Sequence, residues 1–297
     1  MRYFTLITII LASNLNAGLI VDKQVSQDQI ESMTETLINS TSAPSVTISN
    51  ISYTGKHAHA FGTFTNGLDS GLGIDQGIIL STGKVNDAPD PNTSSDLSTN
   101  LRQPGDSDLN SLIPGYNTYD ATVLEFDFTS TGDSAYFNYV FASEEYTEYV
   151  NSSYNDVFGF FVNGENYALI PGTDEAVSID SVNHLENTEY FNNNDIHHDP
   201  ANADNYDITY DGFTDVFTAA LTNLTPGESY HLKLAIADTG DQLYDSSVFL
   251  EAGSFSSTPV APAGAPEPET WFLIIMSLCV VYFKTSKVNP AFQLSKN

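Results

Sequence analysis

Cysteine is all but missing from this 297-residue chain: Cys279 stands alone, so no disulfide can form within it. An exported protein of this make-up is held by its core, with help from metal where its acids bind one. Basic residues are nearly as scarce, with 9 Lys and Arg against 38 Asp and Glu and a formal charge of -29. That balance excludes nucleic acid as a partner, since phosphates need basic groups, and excludes unassisted adsorption to an anionic membrane. Gly67, Gly71, Gly73 and Gly77 are followed by no Lys-Ser or Lys-Thr pair at phosphate-loop spacing, so they read as turn residues. No G-x-S-x-G sequence occurs either, which removes the nucleophile elbow of the α/β-hydrolases.

Aromatic residues are plentiful, 16 Tyr and 18 Phe, and short apolar runs alternate with Asn, Asp, Ser, Thr and Gly. This is the texture of an all-β domain rather than of a disordered chain. Period-two patterning predicts strands from Val46 (VTISNISY, then FGTF), at Ile78–Ser81, Thr122–Phe128, Tyr136–Phe141, Val157–Val162, Tyr167–Ile170, Ala176–Ile179, Phe213–Leu221, Tyr230–Ala237 and Val248–Ala252. One helix is predicted, Ser26–Asn39, with Ile30, Met33, Leu37 and Ile38 on one stripe and Ser26 with Gln29 as a capping box. Two long polar stretches, 86–117 and 183–207, interrupt the strands. The expected fold is a jelly-roll-like β-sandwich with one small N-terminal helix and long polar loops.

The chain is organised around Tyr136–Gly164, where two aromatic runs enclose Glu144, Glu145, Glu148 and Asp156 among amides and hydroxyls. A second acidic loop carries Asp238, Asp241 and Asp245, without the glycine and terminal glutamate of an EF-hand. Such oxygen-rich loops suit a hard cation, and the expected metal ligands are Glu144, Glu145, Asp156, Asp238, Asp241 and Asp245, with calcium as the ion. The plain alternative is a solvated acidic surface. His197, His198 and Asp199 suggest a transition metal, but adjacent side chains in a loop seldom aim at one ion without further ligands. His57 and His59 share a strand face and read as sheet surface.

The ends of the chain carry addressing signals. Arg2, the apolar run Tyr3–Ala12 and Ala17 form the pattern of a secretory signal peptide over residues 1–17. Residues 256–268 are a Pro/Ala linker, and 269–297 hold a short hydrophobic segment followed by Lys284 and Lys287. Thirteen apolar residues, WFLIIMSLCVVYF, make a marginal membrane span with its end retained on the cytoplasmic side of the inner membrane.

Pro266, Glu267 and Pro268, then the hydrophobic segment and basic residues, resemble the PEP-CTERM sorting signal of Gram-negative bacteria, which implies an exosortase as processing partner. The tail departs from that pattern in having two separated lysines and a polar extension to Asn297. The body, expected to span residues 18–255, resembles the choice-of-anchor L family of bacterial surface proteins through GIILSTG at 77–83, PGDSDLNSLIPG at 104–115, VLEFDF at 123–128, the 137–164 segment and KLAIADTGDQLYDSSVFLEAGSF at 233–255. This resemblance implies a place outside the cell membrane and brings no activity with it. The expected function is a non-catalytic adhesive or matrix protein, associated with polysaccharide and stabilised by calcium. The rival reading is a glycan hydrolase using Glu144, Glu145 and Asp156 as its carboxyls, and a purely structural surface role is the third.

Overall fold

The computed structural model describes residues 18–23, 26–38, 45–56 and 59–265. The expected signal peptide, His57, the Pro266–Pro268 motif and the hydrophobic segment with Cys279 lie outside these residues. Among the described residues no helix is long and apolar enough to cross a membrane.

The domain is an all-β sandwich, as the patterning predicts. In chain order the strands are β1 (Ile20–Lys23), β2 (Val46–Thr54), β3 (Phe61–Thr65), β4 (Gly77–Ser81), β5 (Thr118–Ser130), β6 (Ser134–Ser143), β7 (Val157–Val162), β8 (Glu165–Asn166), β9 (Phe191–Asn193), β10 (Gly212–Thr214), β11 (Phe217–Thr222), β12 (Ser229–Thr239) and β13 (Ser246–Glu251). One antiparallel sheet runs β1-β3-β4-β13-β6-β10-β9, with β11 also on β6; the other runs β2-β5-β12-β7-β8. β10 and β11 pair in succession along the same edge of β6, Gly212 opposite Ser143 and Phe217 opposite Tyr139. The single strand expected over Phe213–Leu221 is therefore broken at Asp215–Val216.

Side-chain alternation builds three apolar layers. Phe137, Tyr139 and Phe141 of β6 face Phe158 and Phe160 of β7 and Leu232, Leu234 and Ile236 of β12 between the sheets. Phe255 closes this core, edge-on to Phe126, Phe128 and Phe137 with ring centroids 5.2–6.0 Å apart. Such pairs add about 0.5–1.5 kcal/mol each beyond burial. The opposite faces of the central strands are covered too. Val140 and Ala142 pack with Ile79, Phe249 and Tyr210, while Val157, Phe161 and Ala235 pack under Leu109. That double burial is why β6 and β7 are apolar on both faces.

Helix α1 (Gln27–Thr34) starts where Ser26 Oγ accepts from the Gln29 amide and buries Ile30 and Thr34. It ends earlier than predicted, tightening into a 3-10 turn at Glu35–Leu37 that carries buried Leu37. A second helix, α2 (Ser107–Leu112), interrupts the 86–117 stretch, capped by Asp106, whose side chain accepts from the Asp108 and Leu109 amides. The strands expected at Tyr167–Ile170 and Ala176–Ile179 are only isolated bridges, Leu169 with Ala176 and Val157 with Ser178. Their apolar side chains are buried as expected and several backbone bonds form, among them Val177 amide to Ala168 O and Tyr167 amide to Phe160 O, but side chains interrupt the ladder: the Ala168 amide donates to Asn166 Oδ1 and the Ser178 amide to Ser181 Oγ.

Candidate functional site: an acidic rim

Antiparallel pairing brings four strand ends to one edge of the sandwich. β6 ends at Ser143 where β13 begins, Ser143 opposite Ser246, and β12 ends beside the start of β7, Ala237 opposite Val157. Each of these ends continues into the acids that the sequence singles out: Glu144 and Glu145 after β6, Asp156 before β7, Asp238 at the end of β12 and Asp245 before β13. The structure thus brings both acidic loops to one rim. Glu144, Glu145, Asp156, Asp238 and Asp245 are all buried, at most 2% exposed. Asp241 is half-buried, and its Oδ1 accepts from the Leu243 amide.

Asp156 ties the two sheets together. Its Oδ1 accepts from the Thr239 amide at 2.8 Å, and its Oδ2 accepts from Ser246 Oγ at 2.6 Å. Ser246 Oγ stands 2.8 Å from Ser143 Oγ, and its amide donates to Thr82 Oγ1. Asp245 Oδ1 accepts from the Thr99 amide at 2.9 Å, and its carboxylate lies so close to Gly83 that a Cβ there would overlap it. Gly83 is thus glycine for reasons of space. The remaining rim acids are poorly satisfied. Both oxygens of Glu144, both of Asp238, Oδ2 of Asp245 and Oε2 of Glu145 are buried without a well-formed hydrogen bond.

The two polar stretches fold over this rim. In the first, Leu97 O accepts from the Asp245 amide, Asn92 Nδ2 donates to Asn194 O, and the Leu101 amide donates to Asp120 Oδ2. Asp120, at φ 45°, sits where β5 and β12 shift register between Ile236 and Asp238, a bulge that turns its carboxylate toward residues 101–103. In the second, the Asn194 amide donates to Asp211 O, and the Thr209 amide to Ala88 O.

Burial and mutual repulsion set the electrostatics. Glu144 is pushed well above the usual carboxyl range by burial, then by the charges of Asp211, Asp245 and Glu148. Asp238 is raised by burial, then by Asp156 and Asp245. Glu145 and Asp156 are raised by burial and by acidic neighbours that include Asp241; hydrogen bonds from Ser246 and Thr239 offset part of this for Asp156. Burial lifts Asp245 to about 7. The charges that these five acids feel most are all acidic.

Among the described residues, the metal-competent side chains whose ligand atoms all lie within 4.8 Å of one another are a different set: Glu148, Asp195, His198 and Asp211. Of the histidine run, only His198 joins this group. The His197 amide caps Asp195, and Asp199 accepts from Asn193 and Asn202. The sequence offered the spacing Asp195-x-x-His198 as a signal, but nothing in it placed Asp211 or Asn92 beside them. Beyond the acids, tyrosines gather at the rim, Tyr149, Tyr154 and Tyr244 half-buried and Tyr116 exposed. Tyr149 lies 5.0 Å from Tyr244 and 5.4 Å from Tyr154, ring to ring, and Tyr116 donates to Ser152 O.

The family model for the choice-of-anchor L domain matches residues 21–256. No curated protein and no solved structure matches the chain.

Proposed function

The chain belongs to the choice-of-anchor L domain family, and from that premise we propose that it is a non-catalytic adhesive or matrix protein, exported and displayed at the surface, whose acidic rim is held by calcium. Membership in the family suggests a surface-associated, non-enzymatic protein. The observation that carries the finer reading is the set of buried rim carboxylates whose strongest neighbours are other carboxylates. Two unit charges about 4 Å apart repel by roughly 4 kcal/mol at an effective dielectric near 20. Protonation relieves that repulsion while the raised acids hold their protons, and a bound cation relieves it when they ionise. Calcium takes six to eight oxygens, including main-chain carbonyls and water, so it suits acids strung along a rim better than an ion needing a tight cage.

The hydrolase reading loses its main support. Glu144, Glu145 and Asp156 are buried, at most 1% exposed, where a glycosidase's carboxyls must meet the sugar. For adhesion, the tyrosine group offers flat, half-buried rings of the kind that stack on pyranose faces, next to loops that calcium would order. Under this reading, processing at Pro266-Glu267-Pro268 by an exosortase would release the domain from the inner membrane into extracellular polymer. The test is binding of the purified protein to a polysaccharide panel with calcium and with chelator. Tyr149→Ala and Tyr244→Ala should each weaken retention without any product forming. Turnover of a glycan, abolished by Glu144→Gln, would instead reinstate the hydrolase.

A further inference from the structure

Glu148, Asp195, His198 and Asp211 come from three separate segments: the loop after β6, the insertion after β9, and the residue before β10. His198 Nδ1 lies 3.2 Å from Glu148 Oε2 and 3.5 Å from Asp195 Oδ1. Asp195 is held rigidly, accepting from the Thr147 amide and hydroxyl and from the amides of His197 and His198. Those bonds outweigh burial and keep its carboxyl below the usual range. Asp195 and Asp211 are buried, whereas Glu148 and His198 reach the surface and leave a route for an ion.

Asp211 supplies an independent observation. It is 0% exposed; one of its oxygens accepts from Asn92 Nδ2, while Oδ2 has no partner. Glu144, buried with neither oxygen well bonded, feels Asp211 more than any other charge. A buried carboxylate oxygen without a donor is costly unless a cation meets it. No lysine or arginine forms an ion pair with any of the four among the described residues.

We propose that Glu148, Asp195, His198 and Asp211 bind one divalent first-row transition ion of the zinc class, which joins the 183–211 segment to the loop after β6. The imidazole decides the class. Calcium and magnesium take oxygen ligands, whereas zinc accepts imidazole nitrogen and carboxylate oxygen together, usually four in number. In a tetrahedron of bonds near 2.1 Å, ligand atoms sit roughly 3.4 Å apart, so four atoms already within 4.8 Å need only a small contraction. His198 would ligate through Nδ1, the nitrogen that faces Glu148 and Asp195. The proposal does not rest on calcium at the rim.

The test uses the full-length chain, untagged and stripped with chelator, titrated with zinc chloride by calorimetry and with cobalt(II) by visible absorption. One zinc should bind per chain, with cobalt giving the absorption of a site that includes nitrogen. His198→Ala and Glu148→Gln, both at the surface, should each weaken zinc by roughly tenfold or more, given that even outer partners of a metal site are worth 10–100-fold. His198→Ala should also abolish the cobalt spectrum. His231→Ala, in the separate pairing with Glu125 and Asp127, should leave zinc binding intact, and a wild-type far-UV circular dichroism spectrum with a cooperative melt in chelator would show that the variants fold. Absence of zinc binding, binding unchanged in both His198→Ala and Glu148→Gln, or calcium competing equally at this site would each overturn the proposal.

Discussion

Replacing Asp238 by asparagine separates a cation-binding rim from a merely buried one. Asp238 is 1% exposed, and neither carboxyl oxygen has a well-formed hydrogen bond. Burial, then Asp156 and Asp245, raise its pKa well above the usual range, so without a cation the neutral, protonated form is favoured. Asparagine matches a neutral carboxylic acid in shape, and Asp238→Asn should cost under about 1 kcal/mol in that state. Calcium changes the comparison, because the wild type ionises to bind it. At free calcium a hundredfold above its dissociation constant the gain is about 2.7 kcal/mol. For a domain of this size that is roughly 5–10 °C in melting temperature. A tenfold loss of affinity on removing one charged ligand would leave about 1.4 kcal/mol, half the shift. Melting wild type and variant by differential scanning fluorimetry, with chelator and with calcium, reads all four values. A variant destabilised equally in both conditions would show that Asp238 is structural only and refute the reasoning.

Other consequences follow from the same geometry. Asp245 and Asp211, lifted to about 7 and about 8 chiefly by burial, contribute stability that is fully present below the unfolded carboxyl pKa and lost as pH rises through those values. The melting temperature of chelated protein should therefore fall between pH 5 and pH 8.5, while calcium-loaded protein resists that fall because the ion binds deprotonated ligands; a flat profile in chelator would contradict this. Ser246→Ala strips Asp156 Oδ2 of the hydroxyl that ties the sheets. It should cost about 1–3 kcal/mol by urea melts, the penalty for leaving a buried carboxyl oxygen without its partner, and a loss under 0.5 kcal/mol would be too small for that role. Deleting residues 266–297 should leave an exported, folded domain absent from the membrane fraction; retention there would show that the tail is not the anchor.

The fold was legible where one physical signal dominated. Two-sided apolar runs marked β6 and β7 as central strands, and the Ser26 cap with Ile30 and Leu37 marked α1. The sequence misled where side chains cut into the ladder: Ala168, Ile170, Val177 and Ile179 are buried as a strand's would be, yet the amides of Ala168 and Ser178 go to Asn166 and Ser181 side chains and only isolated bridges remain. Helix α2 was masked by its six-residue length and turn-like composition. At the rim, acids adjoining strand ends were readable because antiparallel pairing places those ends together. Asp211 was not, since its partner Asn92 lies 119 residues away and no local pattern records that contact. His198 was visible only as one of a run, and its ligand partners come from the fold.

The most direct test of the account is the electron density of the rim in crystals grown with saturating calcium and collected for anomalous signal. The account predicts an anomalous peak among Glu145, Asp156, Asp238 and Asp245, with six to eight oxygens at about 2.3–2.6 Å. A well-ordered rim holding no ion under those conditions, its carboxyls paired with one another as protonated acids, would contradict it.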